Sequence, residues 1–325
     1  MRARLHTFGL LIAILLALII PTNTQAYTQQ VLTNPDAQPP GNYVFLDHYN
    51  YDKDTYHLVG GHQVWQWFRI ETAANKYDWS AIDTFIANEA AKGKRAAIAI
   101  NPYDGECCGG SGVPTYLKQK YASITLKCAG TEIPRYWDAA YKDSWSKLVK
   151  AFGARYNKDS RVAWVEISVG MFGETTPAED KHDDCLQAAG LTSEMWVAHD
   201  KWSIDLYKSA FPNKQLFLQY APRYLKRTEV KEASDYAASK GIGLKHNGLK
   251  PDAGGDAYIT DSTLNIYQSG QYDPLTAWGD KVAVAFEGSE ADESMKGRTA
   301  TMWGIYNGLD KKADFLNLSY QLVSQ

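Results

Sequence analysis

After residue 20 the chain has no apolar run long enough to cross a bilayer, so nothing beyond that point reads as a membrane span. Neither charge is in surplus. The 34 lysines and arginines stand against 37 aspartates and glutamates, a net charge of −3, which argues against nucleic acid or an anionic membrane as partner. There is no His-Glu-x-x-His, no phosphate-binding glycine loop and no dinucleotide fingerprint, so zinc-peptidase, nucleotide and nicotinamide chemistry lack their usual signatures. The Gly-x-Ser-x-Gly elbow is missing too, which weighs against a serine hydrolase. Cysteine is scarce: Cys107, Cys108, Cys128 and Cys185 are the only four. Their spacing is not that of a zinc site, and His182 is the only histidine near them.

What is present begins with an address. Arg2 and Arg4 precede the uncharged run Phe8 to Ile20, and Thr24-Gln25-Ala26 follows with small residues. This pattern predicts a secretory signal peptide over residues 1–26, with an uncleaved anchor as the alternative. Secretion or another extracytoplasmic location permits disulfides. Four cysteines allow three connectivities. Sequence neighbours rarely bond each other, so the expected bridges join one of Cys107 and Cys108 to Cys128 and the other to Cys185.

The remaining residues, 27–325, suit a single α/β barrel of roughly 250 residues with insertions. Short apolar runs alternate with helical patterns. The runs are Tyr43 to Asp47, Val59 to Trp67, Arg95 to Ile100, the stretch opening at Val162, Gln215 to Tyr220, Ile242 to Asn247, Lys281 to Gly288 and Ala313 to Ser319. Between them, Ile82, Phe85, Ile86 and Ala90, then Trp145, Leu148, Val149, Phe152 and Tyr156, recur at helical spacing. Further helices are expected through Trp196 to Tyr207, Val230 to Ala237 and around 295–309. Eight strands separated by helices predict a parallel (β/α)8 TIM barrel with long loops on its catalytic face. The chain stops soon after the eighth strand, which leaves no room for an eighth helix. The segment from Pro102 to about Asp138 reads as a long irregular insertion, and loops of that length tend to be functional.

In such barrels reactive groups sit at the strands' carboxyl ends. Strand two offers Trp67, with Arg69 just beyond it. Strand three offers Asn101, strand four Glu174, strand five Tyr220, strand six His246 and Asn247, and strand seven Glu287. Two acids among polar and aromatic groups suit glycoside hydrolysis, which needs one protonated carboxyl for the leaving oxygen and one ionised carboxyl on the other side. Arg69, His246 or Tyr220 beside Glu287 would keep that carboxylate charged, and partial burial would raise Glu174. Glu166, inside strand four, is the competing acid. Glu71 reads as structural, and Glu290 and Glu293 as solvated. The run Asp180, His182, Asp183 and Asp184 reads as a hydrated acidic loop rather than a metal site. With 10 Trp and 21 Tyr, the chain has aromatic faces for a large core and for stacking against sugar rings.

Two segments carry a family resemblance. VWQWFRIETAANKYDWSAID has a strand-end Trp, an Ile-Glu pair and a Tyr-Asp-Trp-Ser opening the next helix. IPRYWDAAYKDSWSKLVKAFGARYNKDSRVAWVEI has a helix, an Arg-Tyr end and strand four. Over most of residues 43–319 the chain resembles clan A glycoside hydrolases, and in organisation the β-galactosidase-like barrels of family 42. The resemblance implies a retaining glycosidase with a carbohydrate substrate and no cofactor, with Glu174 as acid/base and Glu287 as nucleophile. That clan has Asn-Glu directly ending strand four. Here those positions are Val169 and Gly170, and the glutamate follows in Gly-Met-Phe-Gly-Glu. The alternative reading is a non-catalytic carbohydrate-binding or surface protein on the same scaffold. An unrelated exported hydrolase on this fold is a third, since fold alone does not set the reaction.

Overall fold

A computed structural model describes residues 40–220, 223–251, 258–261, 266–288 and 297–323. The predicted signal peptide, Glu290 and Glu293 lie outside these residues. Eight parallel strands form the barrel. They are β1 (Gly41–Phe45), β2 (Leu58–Gln66), β3 (Arg95–Asn101), β4 (Val162–Ile167), β5 (Gln215–Tyr220), β6 (Gly243–His246), β7 (Val284–Gly288) and β8 (Phe315–Ser319). Each pairs with its neighbours in chain order, and β8 returns to β1 to close the ring. All eight expected strands are present. Closure needs no eighth helix: the backbone ladder from Gly41 opposite Phe315 to Phe45 opposite Ser319 completes it. Among the described residues a single turn, Tyr320–Val323, follows.

The outer layer includes α1 (Ser80–Ala91), α2 (Ala139–Tyr156), α3 (Ser193–Ala210), α4 (Arg227–Ser239) and α5 (Arg298–Asp310). The stripe predicted for α2 is fully buried, from Trp145 to Tyr156. Thr192 caps α3, its side chain accepting from the Met195 amide at 3.2 Å. Among the described residues no helix is long and apolar enough to cross a membrane.

Because strand side chains alternate, every second residue points into the barrel. The lower interior is filled by Tyr43, Ala97, Trp164, Phe217, Ala285 and Phe315, with Trp164 edge-on to Tyr43 and Phe217 at 5.6 and 5.4 Å. Glycine makes room for this plug. A Cβ on Gly60 would stand 2.4 Å from the Tyr43 ring, and one on Gly243 2.5 Å from the Phe217 ring. The aromatic floor closes the barrel below, so any chemistry must sit above it.

The insertion after β3 is not irregular. It holds two short helices, Gly105–Cys108 and Thr115–Lys120, and a hairpin of Thr125–Cys128 with Thr131–Pro134. The disulfides differ from those expected. Cys107 bonds its neighbour Cys108, and Cys128 bonds Cys185. The hairpin buries Cys128 and brings it against the loop after β4, while Cys107 and Cys108 stay exposed on their own turn. The second bridge ties the loops after β3 and β4. It closes 57 residues of chain. Replacing both Cys128 and Cys185 by serine should lower the unfolding free energy by about 2–4 kcal/mol, read from denaturant curves.

Candidate active site

Two positions above the aromatic floor, the same inward alternation turns polar. β2 presents His62, β4 Glu166, β5 Gln219, β6 Lys245, β7 Glu287 and β8 Asn317, and all six are buried. At the centre is Lys245. Its Nζ donates to Glu166 Oε2 at 2.6 Å and also to Glu287 Oε2. Asn317 Nδ2 donates to the same Glu287 oxygen at 2.8 Å and lies 2.8 Å from His62 Nδ1. That contact makes Nδ1 the acceptor, which assigns the imidazole proton to Nε2. His62 is neutral: burial, and then the Lys245 charge, push it well below the ordinary histidine range. Burial also works against the Lys245 charge, but Glu166 and Glu287 outweigh it and raise the ammonium. His62, Glu166 and Glu287 offer three donor atoms within 4.8 Å of one another. The ammonium already supplies the cation between the two carboxylates.

Glu174 reaches the same region from a different direction. After β4 the chain reverses in a tight turn. The Gly173 amide donates to the Gly170 carbonyl at 3.2 Å, and the Gly170 amide to the Glu174 carbonyl at 2.9 Å. Phe172 and Gly173 take φ of 54° and 84°, a left-handed conformation that glycine adopts without penalty. The reversal folds Glu174 back over the mouth. Its Oε1 accepts from Asn247 Nδ2 at 2.8 Å and Gln219 Nε2 at 3.1 Å. Burial pushes Glu174 up to about 7, and the charges of Glu287 and Glu166 add to the rise. The turn also covers Glu166. A Cβ at Gly173 would stand 2.9 Å from Glu166 Oε1 and 3.1 Å from Asn101 Oδ1. Burial raises Glu166 to about 7, with Lys245 opposing the rise and Glu287 reinforcing it.

The residues expected at the strand ends divide by which way they point. Glu174, Glu287 and Asn247 come together. Asn101 lies at the edge of this group, its Oδ1 accepting from Ser168 Oγ at 3.0 Å and its Nδ2 donating to Asp104 at 2.9 Å. Tyr220 and His246 do not belong to it, because each follows an inward residue and so faces outward. Tyr220 donates to the Gln271 carbonyl at 2.9 Å. His246 packs among the rings of Tyr220, Tyr272 and Phe286, where burial and then the Lys250 charge lower it to about 3. Trp67 is wholly buried against Tyr141 and Trp145 and donates to Glu71 at 2.7 Å. It offers no open face for a sugar, and Glu71 is structural. Arg69 is exposed, stacks on Phe68 and meets Gln66 at 3.4 Å. The partners of Glu287 are therefore Lys245 and Asn317, not Arg69, His246 or Tyr220. In the acidic loop, His182 is buried and lies in hydrogen-bond contact with Glu106 at 2.8 Å, and Glu106 also pairs with Lys181.

The sequence matches no known family model and no curated protein. Among solved structures the fold is similar to the catalytic domain of a β-amylase from Paenibacillus polymyxa. That likeness has a TM-score of 0.59 at 10% identity and covers 87% of this chain and 92% of that one. It is also similar to a β-galactosidase from the psychrophilic Marinomonas ef1, with a TM-score of 0.54, 12% identity and coverage of 85% and 53%. A polyextremophilic β-galactosidase from the Antarctic haloarchaeon Halorubrum lacusprofundi gives 0.54, 13%, and coverage of 87% and 52%. The chain spans about half the length of those two β-galactosidases. At these identities what is shared is the architecture, a closed (β/α)8 barrel.

Proposed function

We propose that this protein is an exported retaining glycoside hydrolase that cleaves O-glycosidic bonds in oligo- or polysaccharides, with Glu287 as nucleophile and Glu174 as acid/base. One observation carries the reading: two buried carboxyls at one barrel mouth have opposite surroundings. Among the described residues Glu174 accepts only from neutral amides, and it is pushed up to about 7, which suits a group that must hold a proton to give away. Glu287 accepts from an ammonium and an amide on one oxygen, which suits a carboxylate that must carry charge. The similar solved structures are by name a β-amylase and two β-galactosidases, which supports a glycoside as the substrate. Export agrees with the paired cysteines.

In the first step a Glu287 oxygen attacks the anomeric carbon as the glycosidic C–O bond breaks, and the Glu174 proton passes to the leaving oxygen. In the second, Glu174 takes a proton from water, the water oxygen attacks the same carbon, and Glu287 is released. Asn247 and Gln219 hold the Glu174 carboxyl in place through both steps. The test is a panel of aryl glycosides and polysaccharides with the anomeric configuration of the first product followed by NMR. Retention supports the assignment, and inversion overturns it. Sugar binding by calorimetry with no hydrolysis of any panel member would favour the non-catalytic reading instead.

A further inference from the structure

The polar layer holds more charge than a two-carboxylate reaction uses. Glu166 is 1% exposed, and the turn at Gly173 lies over it, so no substrate reaches it. Lys245 is wholly buried. An ammonium alone in such a place would give up its proton, yet this one stands between two carboxylates and touches both.

Among the described residues the surroundings leave no other cation to share the work. From β1 and β4 the rings of Phe45 and Trp164 stand 5.8 Å from Nζ. From β2, His62 Nε2 faces Glu166 Oε2 at 3.8 Å and is neutral. From β5 comes the amide of Gln219, from β8 that of Asn317, and from the turn after β4 the carboxyl of Glu174. The titrating groups that face one another are thus Glu166, Glu174, Lys245 and Glu287, with His62 beside them.

We infer that Lys245 and Glu166 are positioning residues for the reaction, the ammonium fixing the aim and charge of the Glu287 carboxylate and Glu166 anchoring the ammonium from below. The inference rests on the reading in which Glu287 is the nucleophile. Glu166 does a second thing. By sharing the ammonium it keeps Glu287 from being fully neutralised, so that carboxylate retains the electron density with which it attacks.

The test is the pH profile of kcat/KM for Lys245→Met and Glu166→Gln, on the aryl glycoside that the wild type hydrolyses best, with folding checked by circular dichroism. In Lys245→Met, Glu287 loses the ammonium that touches it. The acidic limb should move up by about 1–3 pH units, and kcat at the wild-type optimum should fall by about tenfold or more, with part of the loss recovered at higher pH. In Glu166→Gln the ammonium turns wholly to Glu287 and Glu174 loses a like charge, so both limbs should move down by about one unit. A purely structural role would lower activity without moving either limb. Limbs superimposed on the wild type in Glu166→Gln overturn the inference, even if Lys245→Met does not fold. A Glu166→Gln enzyme that fails only on substrates with poor leaving groups also overturns it, because Glu166 would then be the proton donor. Glu287→Gln is run alongside. If that variant stays active, the two-glutamate reading falls and this inference with it. If it is dead while the limbs stay put, only the inference falls.

Discussion

Glu287→Gln should lower kcat on an activated aryl glycoside by on the order of 10⁴-fold or more, with the fold retained. The amide keeps the shape of the carboxyl and its acceptor oxygen, so Asn317 still has a partner, but it cannot attack an anomeric carbon. Lys245 keeps Glu166 at 2.6 Å, so no buried ammonium is stranded. A smaller residue makes the assignment sharper. Glu287→Gly opens space on the nucleophile's face of the sugar, and added azide should restore turnover by attacking from that face. The product would be a glycosyl azide of configuration opposite to the substrate, identified by NMR. Wild-type turnover in Glu287→Gln would remove Glu287 from the reaction.

The second large effect is expected at Glu174, and it has two parts of opposite sign. Glu174→Gln should cost about 10²–10⁴-fold in kcat/KM for substrates with poor leaving groups, and much less in kcat/KM for a nitrophenolate that departs without a proton, while kcat falls for both because the second step loses its base. The alkaline limb of the wild-type profile, set near 7 by the raised Glu174, should disappear in the variant. Stability should move the other way. Burial raises this carboxyl from 4.5 to about 7, so the folded chain holds the proton more tightly than the unfolded chain does. The resulting stabilisation is complete below about 4.5, declines as pH rises, and is gone above about 7. At pH 8 the wild type carries a buried charge at a cost of about 3 kcal/mol, which an amide does not incur. Glu174→Gln should therefore unfold at higher denaturant than the wild type at pH 8, with the difference shrinking toward pH 4.5. Equal midpoints at both pH values would mean that Glu174 is not a buried, proton-holding group.

Both effects follow from a polar layer that is only partly visible in the chain as a string of letters. Reading strand ends by position selects Tyr220 and His246, because each is the last residue of its run. Reading them by alternation selects their neighbours. In Val-Ala-Trp-Val-Glu-Ile the inward pair is Trp164 and Glu166. In Gln-Leu-Phe-Leu-Gln-Tyr it is Phe217 and Gln219, and in Ile-Gly-Leu-Lys-His-Asn it is Gly243 and Lys245, with Asn247 next. Each inward series goes from apolar or glycine to polar in two steps, a signal carried by the sequence itself. His62 and Asn317 carry less of it, since a lone histidine or asparagine in an apolar strand has many structural uses. The cysteine pairing carried none: adjacency argues against Cys107–Cys108, and only the placement of the hairpin beside the loop after β4 selects Cys128–Cys185.

By itself the sequence determined the barrel. Periodicity and strand–helix alternation are local properties, written in the spacing of apolar residues, and eight such units leave few other ways to bury them. It also determined Glu287 and Asn247 as groups at the mouth, since each stands at the end of its own strand or just beyond it, whereas Glu174 is brought there by the turn after β4. Tertiary structure alone decided that Glu166 is covered, because that depends on a left-handed turn at Phe172 and Gly173 laying backbone over it. It alone decided that a lysine on β6 stands between carboxylates from β4 and β7. A charge's partner is set by distance across the barrel, and separation along the chain says nothing about that distance.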